Sequence, residues 1–242
     1  MRFSLIAATI LVGIGLASTS DVRGQEPPGS ERPVIAVLDF TNGSLVDHET
    51  YDPFRVGLAG LLITDLAGNS GLEVVERERL RAVLDELALG ASGEVDPASA
   101  ARAGRILGAD YIVMGVFVID RRENLRIDAR AVQVETSRVV HVESVDDHAD
   151  DLLAAVGRLG RRLSEGLDLP GRPGSADSNS DRAVPVRAQV NLKYARAMLE
   201  EDRGNPQGAL ELYEEFLVDL PSGSAPGLRR AVEERVRKLR ND

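Results

Sequence analysis

The sequence predicts an α/β domain, a mixed five-strand sheet flanked by helices, followed by a small all-α module. Three observations carry this. Residues 34–40 (Val-Ile-Ala-Val-Leu-Asp-Phe) form an almost continuous apolar run, the pattern of a strand buried on both faces. A helical period follows at residues 55–67 and then a short apolar run at 72–76, a strand–helix–strand unit that makes the first two strands parallel. After residues 169–183, rich in Pro, Gly, Ser and Asp, the pattern becomes helical throughout.

The elements follow in order. Pro33 opens the first strand, and residues 41–53 read as a polar loop. In the next helix Leu58, Leu62 and Leu66 share a side, flanked by Ala59, Ile63 and Ala67, and Gly68-Asn69-Ser70-Gly71 ends it. Residues 76–89 give the clearest amphipathic helix, with Leu80, Val83, Leu84 and Leu87 on one face. Asp96-Pro97 is a helix start and Gly108 a helix stop. A central buried strand is expected at 110–119. In residues 125–134, Leu125, Ile127, Ala129 and Ala131 alternate with Arg126, Asp128 and Arg130, the mark of a sheet face open to water or to a partner. Residues 139–145 complete a three-strand meander. Leu152, Val156, Leu159, Leu163 and Leu167 then place a closing helix against the sheet.

Composition narrows the function. The chain has 242 residues, enough for one sizeable domain and a smaller one. Its net charge of −10 disfavours a phosphate backbone as partner, and with aromatics at 4% and no Trp it lacks stacking platforms for single strands. Nucleic acid is therefore not an expected partner. Residues 1–24 read as a cleaved secretory signal: Arg2 precedes fifteen uncharged, mainly apolar residues, too short to span a bilayer. Cleavage is placed after Gly24, with Ala17 as the alternative. With no cysteine, neither disulfide nor thiolate metal site can form.

Three blocks carry a family resemblance: residues 34–40, residues 72–80 (Leu-Glu-Val-Val-Glu-Arg-Glu-Arg-Leu) and residues 107–115 (Leu-Gly-Ala-Asp-Tyr-Ile-Val-Met-Gly). In this order and spacing they resemble the curli production assembly/transport (CsgG-like) family and the related flagellar and TolB-N-terminal-like periplasmic domains. The resemblance implies a cell-envelope assembly or secretion part, and it marks Asp39, Phe40, Glu76, Arg77, Gly108, Ala109 and Asp110 as family-motif positions of structural weight. Two departures are visible. The lipid-anchor cysteine of the curli pore proteins is absent, and the turns at 119–124 and 135–138 leave no room for their membrane hairpins. The expectation is the periplasmic domain without the pore, peripheral at most to the outer membrane and not inserted in it.

The organisation read from the sequence is a signal at 1–24, a CsgG-like domain at 33–168, a flexible linker at 169–186 and a helical module at 187–242. In that module Ala197, Ala209, Tyr213 and Pro221 resemble positions of a tetratricopeptide repeat, although Phe216 stands where the repeat usually has alanine. Two readings stay open: a bundle that packs on itself or on the first domain, or a peptide-binding groove using Ala197, Ala209, Tyr213 and Phe216.

Catalytic chemistry is not expected. His48, His141 and His148 lie in separate segments without the i, i+4 partner of a zinc helix, and no nucleophile elbow or phosphate loop is present. Asp47, His48, Glu49 and Asp52 read as a solvated loop rather than a cation site. Asp146-Asp147 and Asp150-Asp151 read as a helix start, and Glu76 with Arg77 as a strand-to-helix ion pair. No cofactor or metal is assigned. The expected role is a non-catalytic periplasmic adaptor or assembly factor for cell-envelope proteins. Its alternatives are a collar on an outer-membrane secretion channel, formed as a homo-oligomer, and a hydrolase using the 41–53 loop.

Overall fold

The computed structural model describes residues 32–87, 96–170 and 185–241. The expected signal at 1–24, the end of the amphipathic helix at 88–89 and most of the expected linker lie outside the described residues. Residues from Arg32 onward form one compact unit. Its strands are β1 (Val34–Val37), β2 (Thr41–Asn42), β3 (Glu73–Val74), β4 (Tyr111–Ile119), β5 (Asn124–Gln133) and β6 (Arg138–His148). Its helices are α1 (His48–Tyr51), α2 (Phe54–Ala67), α3 (Arg77–Glu86), α4 (Pro97–Leu107), α5 (Leu152–Gly166), α6 (Ala188–Asp202), α7 (Pro206–Asp219) and α8 (Pro226–Leu239).

The sheet is mixed and ordered β3-β1-β4-β5-β6, with β2 pairing β4 off that path. β1 runs parallel to both β3 and β4, while β4, β5 and β6 form an antiparallel meander. The expected five strands become six. The difference arises in the 41–53 segment, expected as loop throughout. Its first residues pair with Val116 and Phe117 of β4, and Gly43 N–H donates to the Phe117 carbonyl at 2.8 Å. The segment also carries α1, whose Tyr51 stacks on Phe54 at a centroid distance of 6.0 Å.

The two faces of the sheet are covered unequally. On one face Phe117, Ile127 and Val145 stand in one cross-strand row and pack in the main core with α2 and α5. On the other, α3 and α4 bury Ile112, Met114, Val132 and Val134 under Leu80, Ala100 and Leu107. That cover stops halfway along the strands. The second half of the face meets solvent.

Helix α2 is more buried than its spacing suggested. Its Leu58 and Leu62 face the core, yet Gly57, Ala59, Gly60 and Leu61 are buried as well. The reason is a second neighbour: α6 crosses α2 on the side away from the sheet, where Gly57 meets Ala195 and Gly60 meets Met198. The main core accordingly runs without a break from Ile35 in β1 to Val236 in α8. The C-terminal helices thus dock on the first domain, one of the two arrangements left open by the sequence.

Local signals explain several boundaries. Asp96 accepts the N–H groups of Ala98 and Ser99, with Pro97 at the first helical position. Gly108 closes α4 at φ 70°, a conformation costly for residues with a Cβ. Asn205 caps α7 by accepting from Gly208 N–H at 3.1 Å, and Pro206 follows at its first position.

Two readings of charged residues are corrected. Asp146 and Asp147 belong to β6, not to a helix start; they pair with Arg126 and Arg158 respectively. Arg77 does not pair with Glu76, because at the first position of α3 it faces Asp39 and the end of α6.

Candidate functional site

Arg77 is the centre of a charged junction between the sheet domain and the C-terminal helices. Arg77 and Arg81 are four residues apart on α3 and share a face. Both reach Asp202, the last residue of α6: Arg77 through two hydrogen bonds, including one of 2.6 Å to Oδ2, and Arg81 through Oδ1 and the main-chain carbonyl. Arg77 also approaches Asp39 at 3.3 Å. The side chains of Arg77 and Asp202 are only 13% and 11% exposed, so the pair is largely removed from water.

A second set of charges adjoins the first. Arg235 of α8 bridges Glu201 and Glu78, the latter at 2.6 Å, and the Tyr213 hydroxyl donates to Glu201 at 2.9 Å. Glu200, Glu201 and Asp202 together place three carboxylates at the C-terminus of α6, where the helix dipole disfavours negative charge. Arg77, Arg81, Arg203 and Arg235 compensate them. The local helix rule is broken to serve a tertiary contact.

Burial alone would work against the charge of Arg77, but hydrogen bonding to Asp202 and the nearness of Asp39 outweigh it and hold the pKa above the ordinary arginine value. Burial pushes Tyr194 up to about 12, and burial together with Tyr194 and Glu201 raises Tyr213 further. Both hydroxyls are therefore protonated at neutral pH, so neither serves as a base. A cleft of about 420 Å³ opens beside them, with Glu76, Arg77, Glu201, Tyr213 and Arg235 among its walls.

The open half of the sheet is the other candidate surface. Three cross-strand rows define it: Arg130 and Val142, beyond the buried Met114; Val116, Asp128 and Ser144; Val118, Arg126 and Asp146. Val116, Val118 and Val142 are exposed, Val142 by 62%. Between them Arg126 donates to Asp128 at 2.8 Å and approaches Asp146 at 3.4 Å, and Ser144 donates to Asp128 at 2.5 Å. This is a patch of apolar side chains around a neutralised ionic web, able to bind a surface but without reactive chemistry.

The family-motif residues have structural placements. Phe40 is fully buried, and its ring lies where a Cβ on Gly115 would fall. Asp110 brackets the start of β1: its side chain accepts from Val34 N–H at 2.8 Å, and its own N–H donates to the Val34 carbonyl. Ala109 is buried beside α4. Glu76 precedes α3 without capping it. Of the four residues proposed for peptide binding, Ala197, Ala209 and Phe216 are fully buried, and Tyr213 is buried with one edge in the cleft wall. They face the α2–α6–α7 interior.

Asp47, His48, Glu49 and Asp52 are not brought together as ligands; Asp52 pairs with Arg55 at 3.6 Å. Among the described residues, the group with ligand atoms mutually within 4.8 Å is Glu123, His148 and Asp150, from the β4–β5 turn, the end of β6 and the following 3-10 turn. Sequence reading missed it because Glu123 lies on a different turn, well before His148 and Asp150 in the chain. Two of its atoms already have structural work: Asp150 Oδ1 accepts from Ala188 N–H at 2.6 Å, fixing the start of α6, and His148 Nδ1 accepts from Asp150 N–H at 3.3 Å.

Comparison with known proteins gives one family. Residues 16–119 match the model of the curli production assembly/transport component CsgG. No curated protein matches the sequence. Among solved structures, the C-terminal domain of LpoB from Salmonella enterica is 15% identical, covering 48% of this chain and 83% of that one at a TM-score of 0.36. TolB from Acinetobacter baumannii is 16% identical over 58% of this chain and 30% of its own, at 0.41. The PelC dodecamer from Paraburkholderia phytofirmans is 12% identical over 60% and 96%, at 0.35.

Proposed function

On the premise that residues 16–119 carry the signature of the curli-transport CsgG family, we propose that this chain is a non-catalytic periplasmic adaptor that helps assemble cell-envelope proteins. The observation that supports the reading most directly is the half-covered sheet. Helices α3 and α4 bury one half of the second face and leave Val116, Val118 and Val142 exposed around Arg126 and Asp128. Val116 and Val118 stand together on one face of β4 beside the charges of β5, an arrangement that suits an interaction surface. The charged junction at Arg77 supports the same role, since it ties the C-terminal helices to the sheet domain and presents both to a partner as one body.

The reading makes a spatial claim that can be tested in intact cells. A photo-crosslinking residue replacing Val116 or Val118 captures envelope proteins, while one replacing Val218, 83% exposed on α7, does not. The protein itself fractionates with the periplasm. Recovery in the cytoplasmic fraction, or no adducts from either valine, overturns the proposal. Turnover of a substrate that is lost on replacing His48 would revive the hydrolase reading.

A further inference from the structure

The cleft beside the charged junction holds more polar chemistry than the junction uses. It measures about 420 Å³, a size suited to a small molecule, and its walls come from α2, the start of α3, α6, α7 and α8. Six charged residues stand in those walls, and their partners separate the spent groups from the free ones. Both oxygens of Glu201 are taken, one by the Tyr213 hydroxyl and one by Arg235 Nε. Arg235 also reaches Glu78, and the terminal nitrogens of Arg77 go to Asp202 and Asp39. Three groups remain. Arg77 Nε is buried without a hydrogen-bond partner among the described residues. Glu76 and Lys238 are exposed, and among the described residues neither side chain makes a hydrogen bond or an ion pair. Lys238 lies near enough to Glu78 to favour its ionised form, but no closer.

These three groups describe a ligand between them. A buried donor is nearly always paired, so the lone Nε–H of Arg77 in a cleft wall calls for an acceptor. A carboxylate suits it best, because Lys238 supplies a second cationic donor in the same cleft. Glu76 asks for the opposite, an ammonium. Ile63, Met198 and Val232 add an apolar wall on which a hydrocarbon side chain is removed from water. A simple anion would use neither Glu76 nor this wall, and a simple cation would leave Arg77 Nε unmet. A molecule with a carboxylate, an ammonium and an apolar body answers all of them.

We propose that this cleft binds a short apolar peptide with both ends free, its carboxylate at Arg77 Nε and Lys238 and its ammonium at Glu76. Such a ligand touches the sheet domain and the C-terminal helices at once. The cleft shares no residue with the open half of the sheet, so the proposal stands or falls separately from the adaptor reading.

The test is titration calorimetry on the protein purified from cells expressing the full chain. Its probes are leucyl-leucine, N-acetyl-leucyl-leucine, leucyl-leucinamide and glycyl-glycine. Leucyl-leucine binds saturably. Masking either end weakens binding by roughly tenfold or more, the loss of one charge-assisted hydrogen bond. Glycyl-glycine, with no side chain to set against Ile63 and Val232, also binds more weakly than leucyl-leucine. Lys238→Gln shrinks the preference for the carboxylate over the amide and keeps the preference for the ammonium over the acetyl group. Glu76→Gln does the reverse. Both side chains are exposed, so the melting temperatures of the unliganded variants are unchanged. No saturable binding of any probe up to about 10 mM, equal binding of free and masked peptides, or preferences unaltered in both variants overturns the proposal.

Discussion

Arg77 and Asp202, 125 positions apart, meet through two hydrogen bonds in a site that water barely enters. One residue opens α3 directly after the second parallel strand, and the other ends α6. The contact therefore ties the end of α6 to the start of α3. Buried ion pairs contribute little net stability compared with apolar packing of the same shape, but removing one partner strands the other charge.

Asp202→Ala should accordingly cost about 3 kcal/mol in urea unfolding, within the range for breaking a buried pair. Asp39 alone remains near Arg77, at 3.3 Å and with its side chain 35% exposed. The double variant Arg77→Met, Asp202→Leu should recover much of that loss, because no buried charge is left uncompensated. Additive losses in Arg77→Met and Asp202→Leu taken singly, with no recovery in the double, would show that the junction is not coupled.

The buried tyrosines give the fold an alkaline limit. Tyr194 stands at about 12 in the folded chain against an ordinary 10.0. A raised folded pKa means that the unfolded state loses its proton first. Between these values the unfolded chain binds fewer protons than the folded one, so stability falls as pH rises from 10 toward 12. Below 10 the contribution is fully present. The difference corresponds to roughly 3 kcal/mol. Tyr194→Phe should flatten that part of the stability profile, with unfolding followed by denaturant midpoint across the alkaline range. An unchanged alkaline slope would mean that Tyr194 is not the group responsible.

The open half of the sheet makes the opposite kind of prediction. Val118→Asp should leave stability within about 0.5 kcal/mol of wild type, since the side chain is exposed and lies beside Arg126 on the neighbouring strand. It should nonetheless reduce crosslinking to envelope proteins from Val116. A large loss of stability would show that this half-face is covered rather than open.

The sheet domain was legible because its signals are local. Apolar runs gave β1 and β4, alternation gave β5 with its open face, and Asp96, Gly108 and Asn205 gave helix ends. β2 was not legible: two residues carry no period, and they pair only because Gly43 brings the backbone against Val116 and Val118. The junction was invisible for another reason. Arg77 reads in sequence as one charge among several on an amphipathic helix, and Asp202 as one acid in a run of three. Only docking of α6 on α2 brings them together. The same docking buries Tyr213 and Phe216, which from spacing alone suited a groove equally well.

That docking rests on two glycines of α2, and they should differ in what they tolerate. A Cβ on Gly57 would stand 2.6 Å from the Ala195 Cβ and 3.2 Å from its Cα. Ala195 has no side chain to move aside, so the helices themselves must separate. A Cβ on Gly60 would stand 2.5 Å from the Met198 Cε, the flexible end of a long side chain, and 2.8 Å from the Tyr194 hydroxyl. Met198 can turn away, and replacing a helix-interior glycine by alanine gains up to about 1 kcal/mol of helix propensity. Gly57→Ala should therefore cost about 2 kcal/mol, in the range of overpacked cores. Gly60→Ala should cost less. Thermal unfolding of the two variants side by side checks the order, and a Gly60→Ala chain less stable than Gly57→Ala would mean that Tyr194, not Ala195, is the rigid element of the crossing.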